Sequence, residues 1–167
     1  MEKKRLPIYG PGPYYAIAIA TLELIGLLLH FTGVLKTGEV IDSVFKIIML
    51  IIGGLFIILG FLIWIPAAFM PNRIDSYIND NKLCTEGVYS IVRNPCYSGI
   101  TFILVGILVS VGNLWLLILP IIYYIILTIV LMQTEEKWLE EKFGLDYIKY
   151  MASVNRIIPW PRKRKEK

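Results

Sequence analysis

A single histidine, His30, and two cysteines, Cys84 and Cys96, stand among 167 residues. That scarcity argues against a structural zinc site, because neither cysteine has a ligand-like companion at metal spacing. It also leaves no Ser-His or Cys-His pairing of the kind that activates a covalent nucleophile. Charge is sparse as well, at 18% of residues, against about 25% in an ordinary soluble domain. No internal repeat or low-complexity stretch is visible. The excess lies elsewhere: 56% of residues are hydrophobic and the mean hydropathy is +0.64, more than a soluble globule of this length needs for its core. The surplus points to lipid.

A bilayer core of about 30 Å takes roughly 20 apolar residues to cross as a helix. Tyr14 to Leu35 is long enough, broken only by Glu23 and His30, and Ile47 to Ile65 carries no charge. From Ile100 to Met132 the only strongly polar side chain is Asn113, and that run is too long for one crossing. Gly112-Asn113 is a turn signal at its middle. The expectation is an all-α integral membrane protein of four transmembrane helices in two hairpins, near residues 14–35, 46–69, 97–112 and 114–134. The first span follows Lys3, Lys4 and Arg5, but it exceeds a signal-peptide core and no small-residue cleavage site follows, so it reads as a retained helix.

Lysine and arginine concentrate in the N-terminus, the Pro71–Asn94 connection and the tail "RKRKEK". The Lys36–Ser43 loop is balanced by Glu39 and Asp42, and the 112–114 hairpin is uncharged. The positive-inside tendency therefore places both termini and the middle loop in the cytoplasm. The net charge of +4 is then an attraction to anionic headgroups, with no nucleic-acid partner implied. Both cysteines fall on the reducing side, so no disulfide framework is expected.

Chemistry must sit in the polar segments that the hairpins hold, about 83–99 and 135–161. In "GVYSIVRNPCYSG", Arg93-Asn94-Pro95 reads first as a helix entrance, with proline in the first turn, asparagine as N-cap and arginine reaching phosphate. The same corner also suits an anion, because free helix amides and Arg93 converge there. Only Pro120 interrupts the helix signal between Leu114 and Phe143, so span four is expected to leave the membrane as one long helix ending at Gly144. Glu135 and Glu136 then lie at the membrane exit, at the depth of Arg93. That segment reads equally as a solvated charged helix with Glu-Lys pairs. A ligand bearing both charges would use the arginine and a carboxylate together.

"EGVYSIVRNPCYSG", followed one hairpin later by "TEEKWLEEKFGLDYIKYMASVNRIIP", resembles the isoprenylcysteine carboxyl methyltransferase family and its phospholipid methyltransferase relatives. The matching positions are Gly87, Tyr89, Val92, Arg93, Pro95, Tyr97 and Gly99, then Glu135 and Glu136, then Phe143, Gly144, Tyr147, Tyr150 and Pro159. They span roughly half the chain in fixed order. The resemblance implies an integral membrane enzyme that uses S-adenosylmethionine, releases S-adenosylhomocysteine and methylates a lipidic or amphipathic acceptor such as an isoprenylcysteine carboxylate. It implies catalytic roles for Arg93 and Glu136 and cofactor contacts at Tyr89, Val92, Arg93, Asn94, Pro95, Tyr97, Gly99, Glu135, Glu136, Tyr147 and Tyr150. Glu23 and Arg156 are acceptor candidates, and no metal is expected. Where the family often has histidine this chain has Asn94, which can hydrogen-bond but cannot titrate, so it reads as a binding residue.

Other readings stay open beside this one: phospholipid N-methylation, thiol S-methylation, or a non-catalytic scaffold or transporter subunit whose polar corner anchors headgroups. Glu23, a carboxylate within a span, either lines the acceptor route or is protonated or hydrogen-bonded in helix packing. His30 fits the outer interface, and Gly53, Gly54 and Gly60 fit close helix packing.

Overall fold

A computed structural model describes residues 12–69, 77 and 82–160. Among the described residues six α-helices can be bounded, in chain order: α1 (Gly12–Phe31), α2 (Ser43–Ala68), α3 (Pro95–Val111), α4 (Leu119–Gln133), α5 (Glu135–Phe143) and α6 (Leu145–Ser153). Short 3₁₀ turns at Lys36–Gly38, Gly87–Ser90 and Leu114–Ile118 join them. Among the described residues there is no strand, only two isolated bridges. Three segments among the described residues are long and apolar enough to cross a membrane: Gly12–Phe31, Ser43–Ala68 and Leu114–Phe143. The α3 helix is shorter, 17 residues, or about 25 Å at 1.5 Å per residue. The basic N-terminus, residues 70–76 and 78–81 of the middle connection, and the basic tail lie outside the described residues.

Local chemistry sets the boundaries. The first helix stops at Phe31, short of residue 35, because Gly33 turns with a φ of +80°. Asp42 begins α2 by accepting hydrogen bonds from the amides of Val44 and Phe45, both 2.9 Å, which satisfies two donors that a helix start leaves open. Span four is not one continuous helix. Pro120 lies in the first turn of α4, where its missing N–H costs nothing. Thr134 then breaks the run with φ −121° and ψ −87°, its hydroxyl donating to the Val130 carbonyl at 2.6 Å. Gly144 adopts φ +53° between α5 and α6.

The α1, α3 and α4 helices enclose the main core, built on Tyr15, Ile19, Leu108, Tyr123, Leu127 and Leu131. Helix α2 lies against α3 through a glycine stripe. A Cβ on Gly53 would meet the Gly106 carbonyl at 2.5 Å, and one on Gly60 would meet the Gly99 carbonyl at 2.7 Å. Rising numbers on α2 face falling numbers on α3, so the pair is antiparallel. Lipid supplies no hydrophobic drive between helices, and backbones this close gain dispersion contacts instead. Gly54 faces open space, so the packing role expected of these glycines belongs to Gly53 and Gly60 alone.

At one end of the molecule Asn113, fully buried, clamps both helical hairpins. Its amide donates to the Leu35 carbonyl at 2.9 Å and lies 3.1 Å from His30 Nδ1, while its Oδ1 accepts from the Trp115 amide at 3.0 Å. Gly112 makes the left-handed turn, and its carbonyl accepts from the Val40 amide at 2.9 Å. His30 thus belongs to this hairpin end, beside Asn113.

Candidate active site

The opposite end gathers Arg93, Glu135, Glu136 and the C-terminal segment. Residues 92–94 approach α3 beside residues 155–156, with an isolated parallel bridge between Val92 and Asn155. The Arg93 amide donates to the Asn155 carbonyl at 2.8 Å and the Asn94 amide to the Arg156 carbonyl at 3.2 Å. Asn94 makes no side-chain cap on α3. Its Nδ2 donates to the Arg156 carbonyl at 3.1 Å, and Ser98 Oγ donates to the Ile157 carbonyl at 2.6 Å. Ile157 inserts into the main core. The C-terminal segment is therefore a strap across the entrance of α3.

Over this strap sits a charged triad. Arg156 grips Glu136 with two bonds, Nε to Oε1 at 2.7 Å and Nη2 to Oε2 at 2.8 Å. Arg93 Nη2 lies 3.1 Å from the same Oε1, and the Arg93 and Glu136 side chains are each 7% exposed. Both carboxylate oxygens are thus engaged by guanidinium groups, and the hydrogen bonds that Arg156 donates to Glu136 hold it above the usual arginine range. The Arg93 Nε and Nη1 groups are buried with no hydrogen-bond partner. Unpaired buried donors cost roughly 1–3 kcal/mol each, so these Arg93 donors, which point to different sides of the guanidinium, are poised for an acceptor. Glu135, on the next residue, accepts from the Tyr97 hydroxyl. The break at Thr134 lets consecutive glutamates address one corner: Glu135 meets α3, while Glu136 meets Arg93 and the strap.

The aromatic residues wall this corner. Tyr147 is buried, its ring centroid 5.9 Å from Arg93 Cζ, and burial followed by the Glu136 charge pushes its phenol well above the usual range. The Tyr150 hydroxyl donates to the Tyr89 carbonyl at 2.6 Å, and burial foremost raises Tyr89 as well. Tyr97 meets Tyr15 edge to face at 5.8 Å. Val92 and Pro95 are fully buried beneath. Gly99 faces away: a Cβ there would stand 2.5 Å from Trp64 Cβ and 2.8 Å from the Gly60 carbonyl, which makes it a packing residue of the α2–α3 contact.

Residues 48–146 match the phospholipid methyltransferase family. The chain belongs to that family. It is also 30% identical over 161 residues to protein-S-isoprenylcysteine O-methyltransferase B of Arabidopsis thaliana, covering 88% of this chain and 74% of the relative. No solved structure matches it. With helices apolar enough to span a bilayer, family membership makes this a membrane methyltransferase.

The two acceptor candidates part company within this methyltransferase. Arg156 joins the triad. Glu23 does not: a Cβ on Gly12 would lie 3.2 Å from the Tyr97 hydroxyl, and Glu23 is eleven residues further along α1, about 16 Å at 1.5 Å per residue. It is 3% exposed, with Oε2 unpartnered. The strap donors and acceptors, Ser98 and the carbonyls of Asn155 and Ile157, escaped the sequence reading because a serine one turn into an apolar helix and backbone carbonyls carry no pattern. Only "NRIIP", at the far end of the motif, hinted at them.

Proposed function

We propose that this protein is an S-adenosylmethionine-dependent methyltransferase with four membrane spans, both termini cytoplasmic and its cofactor site formed by segments near 83–99 and 135–161. The observation that carries the reading is Arg93, whose buried Nε and Nη1 lack partners beside a glutamate that the triad leaves to the ligand. Two arginines and two glutamates make the corner neutral, which suits a zwitterion. An unpaired donor of Arg93 holds the α-carboxylate of the cofactor, and Glu135, fixed by the Tyr97 hydroxyl, holds its α-ammonium. Glu136 keeps Arg93 in place, and Tyr89, Tyr147 and Tyr150 enclose the nucleoside. When bound, S-adenosylmethionine supplies an electrophilic methyl group on a sulfonium. The chain has then to align an acceptor with it and to keep water out, which buried side chains at a membrane face achieve.

The acceptor is lipidic or amphipathic and enters from the bilayer. O-methylation of an isoprenylcysteine-type carboxylate follows the Arabidopsis relative's name; N-methylation of a phospholipid amine follows the matched family. A carboxylate is ionised at neutral pH, whereas an ammonium must first lose a proton, so the pH-rate profile separates the two. The primary test is calorimetry of S-adenosylmethionine on the detergent-purified protein. Saturable binding that is lost in Arg93→Ala and Glu135→Ala supports the site. Absence of binding in folded protein, repeated in nanodiscs, would sink it.

A further inference from the structure

We infer that Arg156 is a positioning residue: through its two-bond grip on Glu136 it fixes the orientation of Arg93 and so of the unpaired donor that receives the carboxylate of the methyl donor. The inference rests on the cofactor reading above. It starts from a division of labour within the strap. The strap backbone is already held by carbonyls, with Asn155 accepting from the Arg93 amide, Arg156 from Asn94 and Ile157 from Ser98, and by the Ile157 side chain in the core. None of these contacts needs the Arg156 guanidinium. That group goes wholly to Glu136, at 2.7 and 2.8 Å.

Glu136 meets Arg93 through Oε1, the oxygen that Arg156 Nε also binds. A carboxylate held by one guanidinium at a single oxygen can pivot; one gripped along its whole edge by a second guanidinium cannot, because the fork fixes its plane. Arg156 thereby sets where Arg93 Nη2 rests, and with it the direction of the unpaired Nε and Nη1. Its positive charge matters too. Without Arg156, the two glutamates would outweigh Arg93 and repel an anion, whereas with it the corner is balanced. Arg156 lies beyond residue 146, outside the family match.

The test uses the full chain in nanodiscs and two nucleosides, S-adenosylhomocysteine and 5′-methylthioadenosine, which lacks the amino-acid carboxylate. Arg156→Gln is expected to weaken S-adenosylhomocysteine about tenfold while leaving 5′-methylthioadenosine within about twofold. In an Arg93→Gln background the Arg156 change should add nothing further. Equal weakening of both nucleosides would mean general disorder of the site and would overturn the inference, as would unchanged binding. Multiplying effects in the double variant would overturn it too, because Arg156 would then touch the ligand itself. Should Arg156→Gln fail to fold, Arg156→Lys keeps the charge without the fork, and it is expected to weaken only S-adenosylhomocysteine, with equal or absent effects refuting the role. A wild-type protein that binds neither nucleoside would refute the cofactor reading and this inference with it.

Discussion

Gly99→Ala separates packing from ligand approach at a position where the two make different demands. The added methyl would lie 2.5 Å from Trp64 Cβ, 2.8 Å from the Trp64 amide and 2.8 Å from the Gly60 carbonyl. Two of these atoms are backbone of α2 and cannot rotate aside, so ordinary contact near 3.4–4 Å requires the helices to part by the better part of an ångström. Overpacking of that kind costs about 1–3 kcal/mol, which for a chain of this size lowers the melting temperature by about 2–4 °C per kcal/mol. A fall of roughly 2–12 °C in a detergent thermal melt is therefore expected. Gly54→Ala is the control: its Cβ meets nothing within 4 Å, alanine is the better helix former, and its melt should match or exceed wild type. Because Gly99 lies one turn beyond Asn94, the displacement should also loosen Tyr97 and the strap and weaken nucleoside binding in step with stability. If Gly99→Ala melts like wild type while binding alone collapses, the glycine serves the ligand and the packing argument is wrong.

Glu136→Ala should be costlier, about 3 kcal/mol or more, because removing one partner of a buried ion pair strands the Arg93 charge; a melt within about 2 °C of wild type would contradict the triad. Asn113→Ala removes three hydrogen-bonding interactions of a fully buried side chain and should cost about 2–3 kcal/mol, read as a lower melting temperature with S-adenosylmethionine affinity preserved, since the clamp lies at the far end. Tyr97→Phe leaves Glu135 without its hydroxyl donor, and a severalfold loss of cofactor affinity in calorimetry is the expected result. Glu23→Gln keeps the size and hydrogen-bonding capacity of a side chain some 16 Å along α1 and should leave cofactor affinity unchanged; a large loss would place Glu23 in the site after all.

The apolar runs, the Gly112-Asn113 turn and the Arg93 and Glu135-Glu136 motifs were legible in the amino-acid sequence because each is a local matter. Hydrocarbon demands long apolar helices with satisfied backbones, turns need particular residues, and recurring chemistry leaves motifs at fixed spacing. Even the small residues of α2 signalled close packing, though not which glycine did the packing. What tertiary structure alone decided is who meets whom. Gly99 reads as part of a ligand motif, yet it is spent on α2, because glycine is the only residue that lets two backbones come that close. Glu136 reads as a ligand for a cation, yet both its oxygens are taken by Arg93 and Arg156, so of the pair only Glu135 stands outside that triad. Arg156 is separated from Glu136 by two helices and a glycine turn, and no periodicity links them; their pairing depends on the break at Thr134 and on a strap whose anchors are backbone carbonyls. Sequence fixes what each side chain can do, and long-range packing selects which of its abilities is used.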